Sequence, residues 1–208
     1  MPLQGDRPEY WDRAKKELSR NDEVLHEIIN EFDDLEVVSR GDLFYTLIRS
    51  VIGQQISVKA ASTVWSRFCE RVGDIEPKNI VSTDIEVWRS GGLSQRKAEY
   101  VIGISECWPD YDSLEWKEMC DEEIIQELIK LRGVGKWTAE MILIFTMLRP
   151  DVFPIGDIGM IRGIEKSYNS GERMSRDELY AISEKWKPWR TVACCFMWRT
   201  VDPEPVEY

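Results

Sequence analysis

No Cys-x-x-Cys pair occurs among the five cysteines of this 208-residue chain. An odd count, with Cys194 and Cys195 adjacent, supports neither a disulfide framework nor a zinc site. Cys69, Cys107 and Cys120 are too scattered for an iron–sulfur run. All five are expected to be small buried hydrophobes, and no metal site built from side chains is expected. Histidine is nearly absent: His26 is the only one and lies in an acidic segment, so it is expected to be structural or solvent-facing. No apolar run approaches the roughly 20 residues that cross a bilayer. Met1-Pro2-Leu3-Gln4-Gly5-Asp6-Arg7 has no apolar centre of a signal peptide. A soluble intracellular protein without membrane contact is the expectation. Period-2 alternation, internal repeats and low-complexity stretches are missing too, which leaves no sequence support for a sheet.

An excess of basic residues is also lacking. The net charge is −11, which argues against a polyanionic ligand, since backbone phosphates are gripped by Lys and Arg. The distribution softens the objection. Residues 1–40 carry a net −5 and residues 105–130 a net −7, leaving +1 for the other 142 residues. The acidity sits in two segments that can face away from such a ligand.

What is present is helical periodicity, and all-α is the expected class. Apolar residues recur at helical spacing over 10–18 and 24–32, with Asn21 and Asp22 as caps. Gly41-Asp42 opens a stripe of Leu43, Phe44, Leu47, Ile48, Val51 and Ile52. Gly53-Gln54-Gln55-Ile56 interrupts it, and Ser57 caps a helix to about Val72. Residues 73–83 read as turns. Asp84 caps a short helix that stops at Gly91-Gly92, and Ser94 caps one to about Cys107. A helix over 121–131 ends at Gly133-Val134-Gly135, and an apolar, buried helix follows over 137–148 until Arg149-Pro150. Asp157 starts a helix to Tyr168. Ser175 with Glu178 makes a capping box for a helix ending at Trp186-Lys187-Pro188. The last helix runs over 189–198, and Pro203 and Pro205 mark a tail.

Two features carry chemistry. Leu131-Arg132-Gly133-Val134-Gly135-Lys136 is a helix–turn–helix hairpin with two glycines. Such a turn suits φ values that side chains resist and lets an anion come close to backbone N–H groups. The following helix adds its N-terminal dipole, and Lys136 adds charge. Phe153-Pro154-Ile155-Gly156-Asp157 then places a carboxylate just after a Pro/Gly loop. From spacing alone, Asp157 is as well explained as an N-cap, and the hairpin as a plain turn.

Together these stretches resemble the helix–hairpin–helix and the loop aspartate of the base-excision DNA glycosylases, and most of all the 3-methyladenine DNA glycosylase II group. Ser50-Val51-Ile52-Gly53-Gln54-Gln55-Ile56-Ser57 is similar to that group's DNA-probing loop. Gly92-Leu93-Ser94 with Arg96-Lys97-Ala98 is a further shared block. Lys185-Trp186-Lys187-Pro188-Trp189-Arg190 and Trp198 match its C-terminal signature. Four ordered blocks span nearly the whole chain, in a minimal yeast- or archaeal-like form without the bacterial enzyme's N-terminal sheet domain.

The resemblance implies two packed helical lobes with the active site in the cleft between them. One lobe would be about 1–42 plus 150–208, and the other about 43–149, with the helix–hairpin–helix at 121–148. It implies removal of alkylated purines of the 3-methyladenine and 7-methylguanine type from duplex DNA. Asp157 would be catalytic. Trp137, Trp198, Met141 and Ile158 would line the base pocket. Met141 and Ile158 stand where the bacterial enzyme has tyrosines, so a different lesion, oxidised or deaminated, stays open. So does a non-catalytic DNA-binding role. Gly133, Val134, Gly135, Lys136, Gln54, Gln55 and Ser57 would meet DNA, with Gln55 as the wedge and Gln54 as its support. Trp137 replaces the Schiff-base lysine of lyase-competent relatives, and Lys136 points about 100° away around the helix, which implies a monofunctional enzyme. No cofactor is implied, apart from a Na or K ion at the backbone of the 131–136 hairpin. The other tryptophans (Trp11, Trp65, Trp88, Trp108, Trp116) are expected in the core. The protein is expected to act as a monomer, in the cytoplasm or nucleoid of a prokaryote or the nucleus of a eukaryote.

Overall fold

Short polar side chains start most of the helices. Asp22, Asp42, Ser57, Asp84, Ser94, Asp157 and Ser175 each accept a backbone N–H from the first turn that follows them. Each such cap satisfies a donor that the helix itself leaves orphaned, worth about 1 kcal/mol. The computed structural model describes residues 1–202, and these form twelve α-helices with no strand. The tail marked by Pro203 and Pro205 lies outside the described residues. No helix among the described residues is long and apolar enough to cross a membrane.

The chain divides into two compact units. The first is 42–142, joined by Met1. The second combines 2–41 with 143–202 of the described residues. Residues 143–149, grouped with the hairpin in the sequence reading, thus belong with the second unit.

The first unit holds α3 (Leu43–Gly53), α4 (Val58–Val72), α5 (Pro77–Val81), α6 (Ile85–Ser90), α7 (Gln95–Asp112), α8 (Asp121–Leu128) and most of α9 (Lys136–Phe145). The apolar stripe of α3 is buried as its spacing predicts. Aromatic rings join these helices. Phe44 packs on Trp108 at 4.9 Å, and Trp65 stacks on Phe68, which meets Trp88 at 4.8 Å.

Several boundaries differ from the sequence reading, among them the end of α8, which falls at Leu128 and not at 131. Residues 73–83 contain the short helix α5, with Pro77 in its first turn, where a missing N–H costs nothing. Helix α7 runs past Cys107 and Pro109 to Asp112. Its last turn is held by a ladder of rings: Trp108 stacks on Tyr111, Tyr111 on Trp116, and the Trp116 indole donates to the Tyr111 carbonyl. That packing outweighs a proline penalty of about 3 kcal/mol. Helix α9 stops at Phe145, short of Arg149-Pro150, and Leu148 turns the chain with φ +53.

The second unit holds α1 (Trp11–Asn21), α2 (Glu23–Glu31), α10 (Ile158–Tyr168), α11 (Arg176–Glu184) and α12 (Arg190–Val201). Helix α12 is its axis, with every residue from Thr191 to Trp198 buried. Helix α10 lies close against it, because a Cβ at Gly163 would collide with the Met197 carbonyl. Cys194 and Cys195 fill this core, and burial pushes the Cys195 thiol up to about 12. Cys107 and Cys120 are exposed and Cys69 is half-buried, so the expectation of five buried cysteines fails for three of them. Position on the outer face of a helix or at its start decides this, and cysteine is small enough for either. His26 is exposed, between Ser19 and Asn30.

Candidate active site

The hairpin is anchored from within. Leu128, Leu131 and Val134 are buried, while Arg132 and Lys136 stay outside. The two glycines differ in why they are there. Gly133 has φ +95, and a Cβ there would enter the ring of Tyr100. The fold itself therefore demands glycine at 133. Gly135 has no positive φ, and a Cβ there would meet nothing within 4 Å. At 135 the expectation of a resisted φ fails, and the space in front of the backbone is what remains to explain the residue. At Val134 the side chain is buried and the N–H donates to the Leu131 carbonyl at 3.0 Å. The Gly135 carbonyl receives the Ala139 N–H and so opens α9, whose first-turn N–H groups have no intrahelical acceptor.

The cations beside the turn have acidic neighbours. Lys136 Nζ lies 3.8 Å from Glu140, and Arg132 lies 3.7 Å from Glu99. Three carbonyls of the turn accept hydrogen bonds: Leu131 from Val134, Gly133 from Gln54, and Gly135 from Ala139.

The loop between α3 and α4 is tied to the hairpin. Gln54 Nε2 donates to the Gly133 carbonyl at 3.0 Å and reaches the Thr138 hydroxyl at 3.3 Å. Gln55 and Ile56 are exposed beside it. Gln55 has φ +58, a left-handed backbone that costs a side-chain-bearing residue about 1–3 kcal/mol and is common at functional sites. Ser57 is occupied as the cap of α4, with its hydroxyl accepting from the Ala60 N–H.

Within this unit a cavity of about 440 Å³ opens between loop, hairpin and α4. It brings together Gln54, Gln55, Gly133, Gly135, Trp137 and Met141 from the sequence-predicted set. It also holds Arg49 and Trp65, which sequence reasoning missed. Trp65 had been assigned to the core. It is 8% exposed and stands edge-on to Tyr45 at 5.1 Å, so it is both core and wall. A signal existed, since Trp65 lies two helical turns after Ser57 on the helix leaving the probing loop.

In the second unit, Asp157 is 6% exposed. Its Oδ1 accepts two hydrogen bonds, from the Met160 N–H at 2.7 Å and from the Trp198 indole N–H at 2.8 Å. The carboxylate that caps α10 therefore also receives the Trp198 indole. Trp198, expected only as a stacking ring, is a hydrogen-bond donor to that carboxylate, with its ring against Phe145 at 5.7 Å. The loop before Asp157 is fastened by the C-terminal block. Arg190 forks onto the Asp151 carboxylate at 2.7 and 3.0 Å, and the Thr191 hydroxyl links the Arg149 carbonyl to the Val152 N–H. Ile158 is 66% exposed, so its side chain is walled by little of its own unit.

Comparison with known families decides the relationship. The model described as "HhH-GPD superfamily base excision DNA repair protein" matches residues 48–188, which include the probing loop, the hairpin and Asp157. The chain belongs to this superfamily. Among HhH-GPD relatives, a DNA-3-methyladenine glycosylase of Bacillus subtilis is 30% identical over 202 residues, covering 89% of this chain and 66% of its own length. The chain thus spans just under two thirds of that relative. Two HhH-GPD structures superpose closely. A DNA-3-methyladenine glycosidase of Bacillus halodurans has a TM-score of 0.79 at 29% identity, covering 97% of this chain and 92% of its own. The 3-methyladenine DNA glycosylase Mag1 of Schizosaccharomyces pombe, in complex with abasic DNA, has 0.77 at 28% identity, covering 90% and 96%.

Proposed function

We propose that this chain is a monofunctional DNA glycosylase that extrudes an alkylated purine from duplex DNA and hydrolyses its N-glycosidic bond. The observation that carries this is the Asp157 carboxylate, buried and pinned at Oδ1 by Met160 and Trp198, in a chain of the base-excision superfamily. Fixing one oxygen sets the direction of the other.

One carboxylate suffices for the chemistry. As the bond to the base breaks, both its electrons leave with the base, and positive charge develops on the deoxyribose. Asp157 stabilises that charge, a contribution of about 10²–10³ in rate for a single preorganised group. A water molecule adds its oxygen to C1′ and passes a proton to the Asp157 carboxylate, which returns it to solvent, and an abasic site remains. N3-methyladenine and N7-methylguanine carry a positive charge within DNA, so they depart as neutral bases without an acid. The single histidine is not needed.

The rest of the machinery follows the same division. Trp137 offers an electron-rich face to a cationic base, combining stacking with cation–π attraction. The α9 N-terminus and the open space at Gly135 suit a backbone phosphate. Gln55 fills the gap that an extruded nucleotide leaves. No step passes through a cation at the hairpin.

Duplex DNA carrying N3-methyladenine or N7-methylguanine, incubated with the protein, is expected to release free base, and Asp157→Asn to abolish release. Release unaffected by Asp157→Asn would overturn the mechanism. Release only from neutral oxidised or deaminated bases would favour a second reading, which the presence of Arg49 in the cavity wall supports. A guanidinium there disfavours a cationic base.

A further inference from the structure

Lys97 carries a charge in two unfavourable places at once. It lies in the first turn of α7, where the helix dipole disfavours a cation. It is also partly buried, and desolvation pushes its ammonium below the usual lysine range. Both costs are offset by what its Nζ reaches: the Ile52 carbonyl at 2.8 Å and the Gln54 carbonyl at 2.5 Å. The first contact caps the end of α3. The second does not, because Gln54 lies past the last residue of that helix. Its carbonyl belongs to the peptide unit that joins Gln54 to Gln55. Holding that unit fixes the plane from which the φ of Gln55 is measured, and that φ is the left-handed +58. The Gln54 side chain meanwhile fastens the same residue to Gly133. The peptide before Gln55 is thus clamped by an ammonium, and its preceding side chain by the hairpin.

We propose that Lys97 is a positioning residue for base extrusion: it holds the Ile52 and Gln54 carbonyls so that Gln55 is presented in its left-handed conformation to the gap in the DNA stack. The inference rests on the reading of this chain as a base-extruding glycosylase. Lys97 itself touches neither base nor sugar. Its effect is confined to steps in which the stack must be opened.

The test uses the full chain, as wild type, Lys97→Met and Lys97→Arg. One measurement is the ratio of Kd for an intact duplex to Kd for the same duplex with a tetrahydrofuran abasic site, read by fluorescence anisotropy. The other is single-turnover release of N7-methylguanine from a paired duplex and from an unpaired bulge, where extrusion is cheap. Lys97→Met is expected to lose about tenfold in abasic preference and in paired-duplex rate, the scale of one charge-assisted hydrogen bond. Bulge release is expected to stay within about twofold, and Lys97→Arg to recover most of the loss by donating to the same carbonyls. An unchanged abasic preference, or equal slowing on paired and bulged DNA, would overturn the proposal even if the melting temperature falls. Should Lys97→Met fail to fold, Lys97→Gln is measured in the same way. Wild-type protein that releases no base refutes the glycosylase reading alone, since the abasic preference of the variants still decides the part played by Lys97.

Discussion

The Trp198 indole N–H donates to Asp157 Oδ1 across 41 positions of sequence, at 2.8 Å. It shares that oxygen with the Met160 N–H, so a helix cap and a tryptophan hold one carboxylate between them. Trp198→Phe keeps a ring against Phe145 but removes the donor. A hydrogen bond to a charged group contributes about 1.5–3 kcal/mol, so base release is expected to slow by about 10- to 100-fold. Asp157→Asn retains a capping oxygen and is expected to fold with a melting temperature near wild type, yet lose at least about 100-fold. Single-turnover kinetics beside thermal unfolding checks both. Equal rates for Trp198→Phe and wild type would show that the indole N–H is dispensable.

The two hairpin glycines separate stability from binding. Gly133→Ala forces a Cβ into Tyr100 at φ +95. Strain and overpacking together predict a loss of about 2–4 kcal/mol in stability. Gly135→Ala meets open space at an ordinary φ, so stability should change by less than about 1 kcal/mol. A methyl group there stands where a phosphate is proposed to approach. Affinity for duplex DNA should therefore fall by about tenfold, the scale of one lost charge-assisted hydrogen bond. Denaturant titration and anisotropy measure the pair. A folded, tightly binding Gly135→Ala protein would remove the phosphate from that position.

Local signals carried most of the helix starts into the sequence reading. Asp42, Ser57, Ser94, Asp157 and Ser175 are caps because a short polar side chain reaches a backbone N–H only two or three residues on. What escaped was tertiary. Helix α7 passes Pro109 because Trp108, Tyr111 and Trp116 stack. Trp65 becomes a cavity wall through the approach of the hairpin to α4. The bonds from Trp198 to Asp157 and from Lys97 to Gln54 join residues 41 and 43 positions apart, and no periodicity encodes such distances. Motif resemblance singled out Asp157, Trp137 and Gln55 as candidates. It did not reveal what holds them.

The charges flanking the hairpin bear on salt dependence. Lys136 and Arg132 each stand near a carboxylate, Glu140 and Glu99. The binding proposed at the turn would then depend more on backbone N–H groups and the α9 dipole than on net charge. Each phosphate neutralised contributes about 0.9 to the slope of log Kd against log salt. With few unopposed cations at the site, a slope of about 2–3 is expected between 50 and 200 mM salt. Glu99→Gln should tighten binding modestly and steepen the slope. A wild-type slope near 6 or above would show that a larger basic surface meets the DNA.

At position 137 a tryptophan, not a lysine, lines the cavity, and the neighbouring Lys136 amine lies 3.8 Å from Glu140. A Schiff base needs a deprotonated amine held against C1′ of the sugar. Lys136 is exposed, stands beside the Glu140 carboxylate and is not among the residues that line the cavity. Borohydride added during turnover is therefore expected to trap no covalent protein–DNA complex. The damaged strand should stay intact until alkali cleaves the abasic site. Denaturing gels with and without alkali, alongside a trapping lane, test both expectations. A trapped complex that disappears in Lys136→Ala would identify Lys136 as the nucleophile and make the enzyme bifunctional.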